Sequence, residues 1–82
     1  MLPAERLKDI LARCDAASPG PWQSFVEGRD HFSGSSFVRT GAADIELSGA
    51  TVADQDFIAG ARQDIPLLVW EIRRLLGAQR VA

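Results

Sequence analysis

His31 is the chain's single imidazole, and Asp30, Ser35 and Ser36 lie close to it in sequence. On paper the segment therefore offers a base, an orienting carboxylate and two hydroxyl nucleophiles. All four fall in the stretch Gly28 to Ser36, whose Arg29, Asp30, His31 and Ser33-Gly34-Ser35-Ser36 read as one long loop. Catalytic groups need a rigid shell that holds them to within about half an ångström, and a loop of this composition does not supply one. Asp54 and Asp56 are the other pair capable of acid-base work, but two residues apart near a helix start they serve to complement the positive end of the helix dipole. The Ser33 to Ser36 run can present successive N–H groups to a phosphate, yet it lacks the Gly-Lys-Ser/Thr ending of a phosphate loop. One Cys14 and one His31 exclude an internal disulfide and the common structural zinc sites, so neither a metal nor a cofactor is expected. The chain reads as a non-enzyme.

Binding chemistry is better represented. Arg39 projects from a strand-like segment, Arg62 lies at the edge of an apolar helical stripe beside small Gly60 and Ala61, and Trp22 stands at a strand entrance. Two guanidinium forks and a stacking face together suit an anionic, base-bearing ligand of nucleotide type. The competing role for Arg62 is a structural ion pair or helix-terminus contact. Trp70 lies on a helical wheel opposite the same stripe, next to Leu67 and Arg74, and an exposed Trp of that kind is an anchor for a partner or a second copy.

Charge narrows the partner. Nine Lys plus Arg against eleven Asp plus Glu leave a net charge of −2, which argues against general nucleic-acid binding through phosphate neutralisation. The sign is unevenly spread: between residues 41 and 64 Asp44, Glu46, Asp54, Asp56 and Asp64 face only Arg62, whereas from 65 onward Arg73, Arg74 and Arg80 face only Glu71. A molecule so polarised docks readily on copies of itself, and a homo-oligomer is expected. No apolar run approaches the roughly 20 residues of a membrane span, so the expected location is the cytoplasm, without membrane attachment.

The elements that must position these residues follow from spacing. The 82 residues are 46% hydrophobic and 24% charged, the composition of one ordinary globular domain spanning residues 1–82. Leu7, Ile10, Leu11 and Cys14 recur at helical intervals after Pro3 and predict a helix over about 3–17, with Cys14 on the apolar stripe. Ser18-Pro19-Gly20-Pro21 ends it. Trp22 to Val26, Phe37 to Thr40 and Ile45 to Leu47 predict strands, with a short turn at Gly41-Ala42-Ala43. From Val52 to Leu76 helical spacing returns: Phe57, Ala61, Ile65, Leu68, Ile72 and Leu75 step by three or four, with Ile58, Val69 and Leu76 widening a stripe that is assigned to the core. Pro66 is expected to kink this helix or break it near Asp64, and Gly77 to stop it. The expected fold is α+β: an N-terminal helix, a small antiparallel sheet of about three strands and a long kinked C-terminal helix, both helices on one face of the sheet.

Two segments also resemble a known group. Leu11-Ala12-Arg13-Cys14-Asp15-Ala16-Ala17-Ser18-Pro19-Gly20-Pro21-Trp22, and Asp54-Gln55-Asp56-Phe57-Ile58-Ala59-Gly60-Ala61-Arg62-Gln63-Asp64-Ile65-Pro66-Leu67-Leu68, resemble the paired signatures of small Ead-like accessory proteins of tailed phages and prophages. There a helix runs into a Pro-Gly-Pro-Trp turn, a variable β region follows, and a helix opening with Phe-Ile-Ala closes the domain. The resemblance covers about a third of the chain and leaves residues 27–50 unmatched. It implies an αβα arrangement, a phage accessory role in the cytoplasm of a host bacterium, and no catalytic residues to carry over. The expected function is an anti-defence sponge that sequesters a nucleotide-type host signal, with Arg62, Arg39 and Trp22 as ligand contacts; the alternative is a module that blocks a host protein through Trp70, Leu67 and Arg74.

Overall fold

The computed structural model describes residues 3–30 and 34–80, with side chains described as far as residue 77. The element order is α1 (Ala4–Ala16), β1 (Gln23–Phe25), β2 (Phe37–Arg39) and α2 (Val52–Arg80). Pro3 stands just outside α1 in extended conformation, and its carbonyl accepts from the N–H groups of Arg6 and Leu7. Glu5 in the first turn and Arg13 in the last complement the helix dipole. The chain then passes through Ser18-Pro19-Gly20-Pro21, with a cis peptide between Gly20 and Pro21, and enters β1.

β1 and β2 pair antiparallel, with Gln23 opposite Arg39, Ser24 opposite Val38 and Phe25 opposite Phe37. The third strand expected at Ile45 to Leu47 reduces to a single bridge, in which Val38 and Ile45 exchange both backbone hydrogen bonds (2.8 and 2.9 Å). Three residues of alternating pattern, followed by the Leu47 to Ala50 turn, leave no length for a ladder. Two glycines are required by this path. Gly28, at φ 82°, lies in the turn after β1, and a Cβ on Gly41 would stand 2.8 Å from the Pro19 carbonyl oxygen that accepts from the Gly41 N–H.

α2 is 29 residues long, and at about 1.5 Å per residue it spans roughly 43 Å of a molecule measuring 55 × 21 × 20 Å. It opens on a reciprocal cap, Thr51 Oγ1 accepting from Asp54 N–H (3.0 Å) and Asp54 Oδ2 accepting from Thr51 N–H (3.1 Å). Pro66 neither breaks it nor starts a second helix at Asp64, and it runs past Gly77 to Arg80. Tertiary support on both sides of the proline outweighs the one backbone donor it lacks.

Two further expectations are corrected. The helices do not share one face of the sheet: α2 lies in the middle, with α1 packed antiparallel along one side and the strands against its N-terminal half. Of the wide stripe of α2 only Val69 is buried in the core. Phe57 is 75% exposed, Ile58, Ile65, Leu68 and Leu75 are all open to solvent, and Ile72 is half-buried. The buried positions of α2 are Gln55, Ala59 and Val69; Leu7 of α1, Val26 and Val38 are buried as well. Small and polar residues take the inward side because the strand backbone approaches closely and needs hydrogen-bond donors more than apolar bulk.

Candidate functional site

Gln55 and Gln63, two turns apart on α2, fix the strands and the turn. The buried Gln55 Nε2 donates to Ser24 Oγ (2.8 Å) and to the carbonyls of Phe25 and Phe37 (both 3.1 Å), which joins the helix to both strands at once. Gln63 pairs with the backbone of Trp22, its Oε1 accepting from Trp22 N–H (2.7 Å) and its Nε2 donating to Trp22 carbonyl (3.1 Å). Arg62 completes this joint. Its Nε donates to the Ser18 carbonyl (3.2 Å), the same oxygen that accepts from Trp22 Nε1 (2.9 Å). Arg62 makes no ion pair among those observed; its contact is structural but of another kind, a hydrogen bond to a backbone carbonyl at the Ser18-Pro19-Gly20-Pro21 turn.

Trp22 and Arg62 do come together. Both line a surface groove of about 480 Å³ between α1 and α2, with Arg6, Ile10, Arg13, Cys14, Ala17, Ile58, Ala61 and Ile65 completing it. Its walls are apolar and its charges are three arginines, with no acidic residue among them. Arg6 and Arg13 escaped the sequence reading; they stand seven residues apart on α1, on the same side as Ile10 and Cys14, and that spacing is the signal that could have found them. Cys14 is half-buried in this groove rather than in the core. Arg39, expected beside Arg62, is elsewhere: its guanidinium stacks on the Phe25 ring at 4.5 Å, and Phe25 in turn stacks on Phe37 (5.2 Å between centroids).

Asp30 and Ser36, from the catalytic constellation, are held in local hydrogen bonds. His31 and Ser33 lie outside the described residues. Asp30 accepts from Val26 N–H (2.7 Å) and from Arg29, which holds its carboxyl below the usual range. Asp56 accepts both Arg29 forks (2.8 and 3.1 Å) and is lowered by Arg29 and then by Ser24, while Ser36 Oγ accepts from Glu27 N–H (3.2 Å). The Arg29 guanidinium, facing two carboxylates, is raised further above its ordinary value. This ion-pair bridge fastens the turn after β1 to α2.

The expected interface residues share one flank. Trp70 is 65% and Leu67 64% exposed, and with Gln63 and Pro66 they line an apolar cleft of about 310 Å³. Arg74 is exposed and bidentate with Glu71, which lowers the Glu71 carboxyl. The flank is open because the strands cover only the N-terminal half of α2. Among the described residues no three His, Cys, Asp or Glu side chains gather as a metal site, and no helix is long and apolar enough to cross a membrane. Comparison with models of known protein families, with curated proteins and with solved structures finds no match to this chain.

Proposed function

We propose that the protein is a non-enzymatic module that works by stoichiometric capture, and that it captures another protein on the Leu67 and Trp70 flank of α2. The observation that carries this reading is the exposure of two large apolar side chains on a rigid helix, around an apolar cleft with the charged pair Arg74 and Glu71 at its rim. Rigid aromatic anchors with a polar surround are the usual source of binding energy at protein interfaces. The resemblance to phage accessory proteins supplies the setting, the cytoplasm of a host bacterium, and makes a host protein the partner.

A second reading, sequestration of a nucleotide-type defence signal, has its own observation in the groove that gathers Arg6, Arg13, Trp22 and Arg62. It suits an anion with a flat apolar body. It ranks second because small-ligand sites bury some 70–90% of their ligand, whereas this groove is open to solvent on a molecule 20 Å thick.

One experiment separates them. Immobilised parent, Trp70→Glu and Arg13→Ala proteins are offered host lysate and, separately, a panel of cyclic and adenosine-derived nucleotides, after which bound material is released by heat and quantified. One protein retained near one-to-one by the parent and by Arg13→Ala but not by Trp70→Glu supports the first reading. Unaltered nucleotide retained by the parent and lost in Arg13→Ala places the second first. Altered product in molar excess over the protein establishes turnover and overturns both.

A further inference from the structure

α2 carries another uncovered strip, about half a turn round the helix from Trp70. Ile58, Ala61, Ile65, Leu68, Ile72 and Leu75 follow one another at steps of three, four, three, four and three. Written as heptads, Ile fills all three a positions and Ala, Leu and Leu fill the d positions. The strip is not spent on the fold: its Ile58, Ile65, Leu68 and Leu75 side chains are 38 to 61% exposed, with Phe57 open at its margin.

We propose that this strip is the interface with a second copy of the same chain, the two α2 helices lying parallel. Three observations select that occupant. β-branched Ile at a with Leu at d is the combination that favours two parallel strands, since each side chain then packs into the hole offered by its own counterpart. Charge selects the same orientation. Asp64 and Glu71 occupy g positions, and parallel pairing sets them toward the e flank of the other copy, where Val69 is already buried in its own fold and Leu76 is half-buried, so neither carboxylate meets a like charge. Antiparallel pairing sets the acidic g positions of the two copies against each other. The open area is of the right order: the strip and Phe57 leave on the order of 500 Å² of apolar surface per copy, short of the roughly 800 Å² each partner brings to a standard interface, so the adjoining groove has to contribute. Half-buried Ile10 and Cys14 of α1, which line the adjoining groove with Ile58 and Ile65, extend it toward a bundle of four helices. Pro66 falls at a b position, off the seam.

The self-contact is thus placed on the stripe that the sequence assigns to the core, and not on Trp70, Leu67 and Arg74. It is independent of partner capture at Trp70, because the two faces point in opposite directions. Light scattering over a dilution series is run on the parent, Leu68→Glu, Leu75→Glu and Trp70→Glu, with circular dichroism to verify helix content. Twice the chain mass for the parent and for Trp70→Glu, and the single chain mass for both seam variants with helix retained, is the expected result. A monomeric parent, or dissociation by Trp70→Glu with the seam variants still dimeric, overturns the proposal. Orientation is read from Leu75→Cys in a Cys14→Ser background. Parallel helices place the two introduced thiols opposite each other, so oxidation yields a covalent dimer; absence of that product in a dimeric protein overturns the parallel arrangement.

Discussion

Single side chains in this protein are worth what they touch, and hydrophobicity alone misjudges them. Gln55 donates to Ser24 and to a carbonyl on each strand. Gln55→Leu keeps the volume but withdraws the donor, and should cost about 1–3 kcal/mol in urea unfolding, the range for leaving buried polar groups unpaired. Leu7 and Phe57 make a sharper pair. Leu7 is 1% exposed, so Leu7→Ala should cost about 2–5 kcal/mol, whereas Phe57→Ala, made on a seam-disrupted Leu68→Glu background to remove self-association, should stay within about 0.5 kcal/mol. Equal losses at the two positions would show that Phe57 packs against the fold after all. The sequence makes Phe57 and the Ile/Leu stripe legible as apolar and helical, but period alone does not say whether such a stripe meets the same chain or another. Arg62 was legible as a contact at the edge of the stripe, and Trp22 as its neighbour; Arg39 was not placed, because the pairing that brings it over Phe25 depends on strand register.

At the scale of elements, both helices and the first two strands were legible, because each is bounded by strong local signals: Pro3 before α1, Pro19 and Pro21 after it, Gly41 beyond β2. Local signals gave one long C-terminal helix but left open whether Pro66 breaks it near Asp64; α2 runs through without a break. Pro in a helix interior is about 3 kcal/mol less favourable than Ala, so Pro66→Ala should raise the urea midpoint substantially; an unchanged midpoint would mean that the surrounding structure already absorbs the missing bond. The turn after β1 is held to α2 by Arg29 with Asp30 and Asp56. Both carboxyls sit below their ordinary value of 3.8 in the folded protein. Their contribution is therefore complete above that value and lost as pH falls through the lowered folded values. The pairs are exposed, so the effect is small and weakened by salt. The gap in urea midpoint between the parent and Arg29→Ala should be present at neutral pH and close in acid. A gap that persists in strong acid would assign it to packing of the Arg29 stem rather than to charge.

For the whole molecule, size and shape point toward association. Among the described residues the buried apolar side chains are Leu7, Val26, Val38, Ala59 and Val69, none of them aromatic, while Phe57, Leu67, Leu68 and Trp70 lie outside. A rod 55 Å long and about 20 Å across has too little interior to hide them, and a chain of this length has only a thin margin of stability to begin with. If a second copy covers the seam, folding and association are linked by mass action, and stability depends on protein concentration. Each tenfold rise in concentration above the dissociation constant contributes up to about 1.4 kcal/mol, and a domain of this size gains roughly 4–8 °C in Tm per kcal/mol. The apparent Tm of the parent should accordingly climb by several degrees per tenfold concentration, while that of Leu68→Glu stays level and meets the parent at high dilution. Trp70→Glu should climb with the parent, since its side chain lies on the opposite flank. A parent Tm that is flat from the most dilute to the most concentrated sample removes self-association as a source of stability, and leaves the whole exposed surface of α2, seam and Trp70 flank alike, to a partner protein.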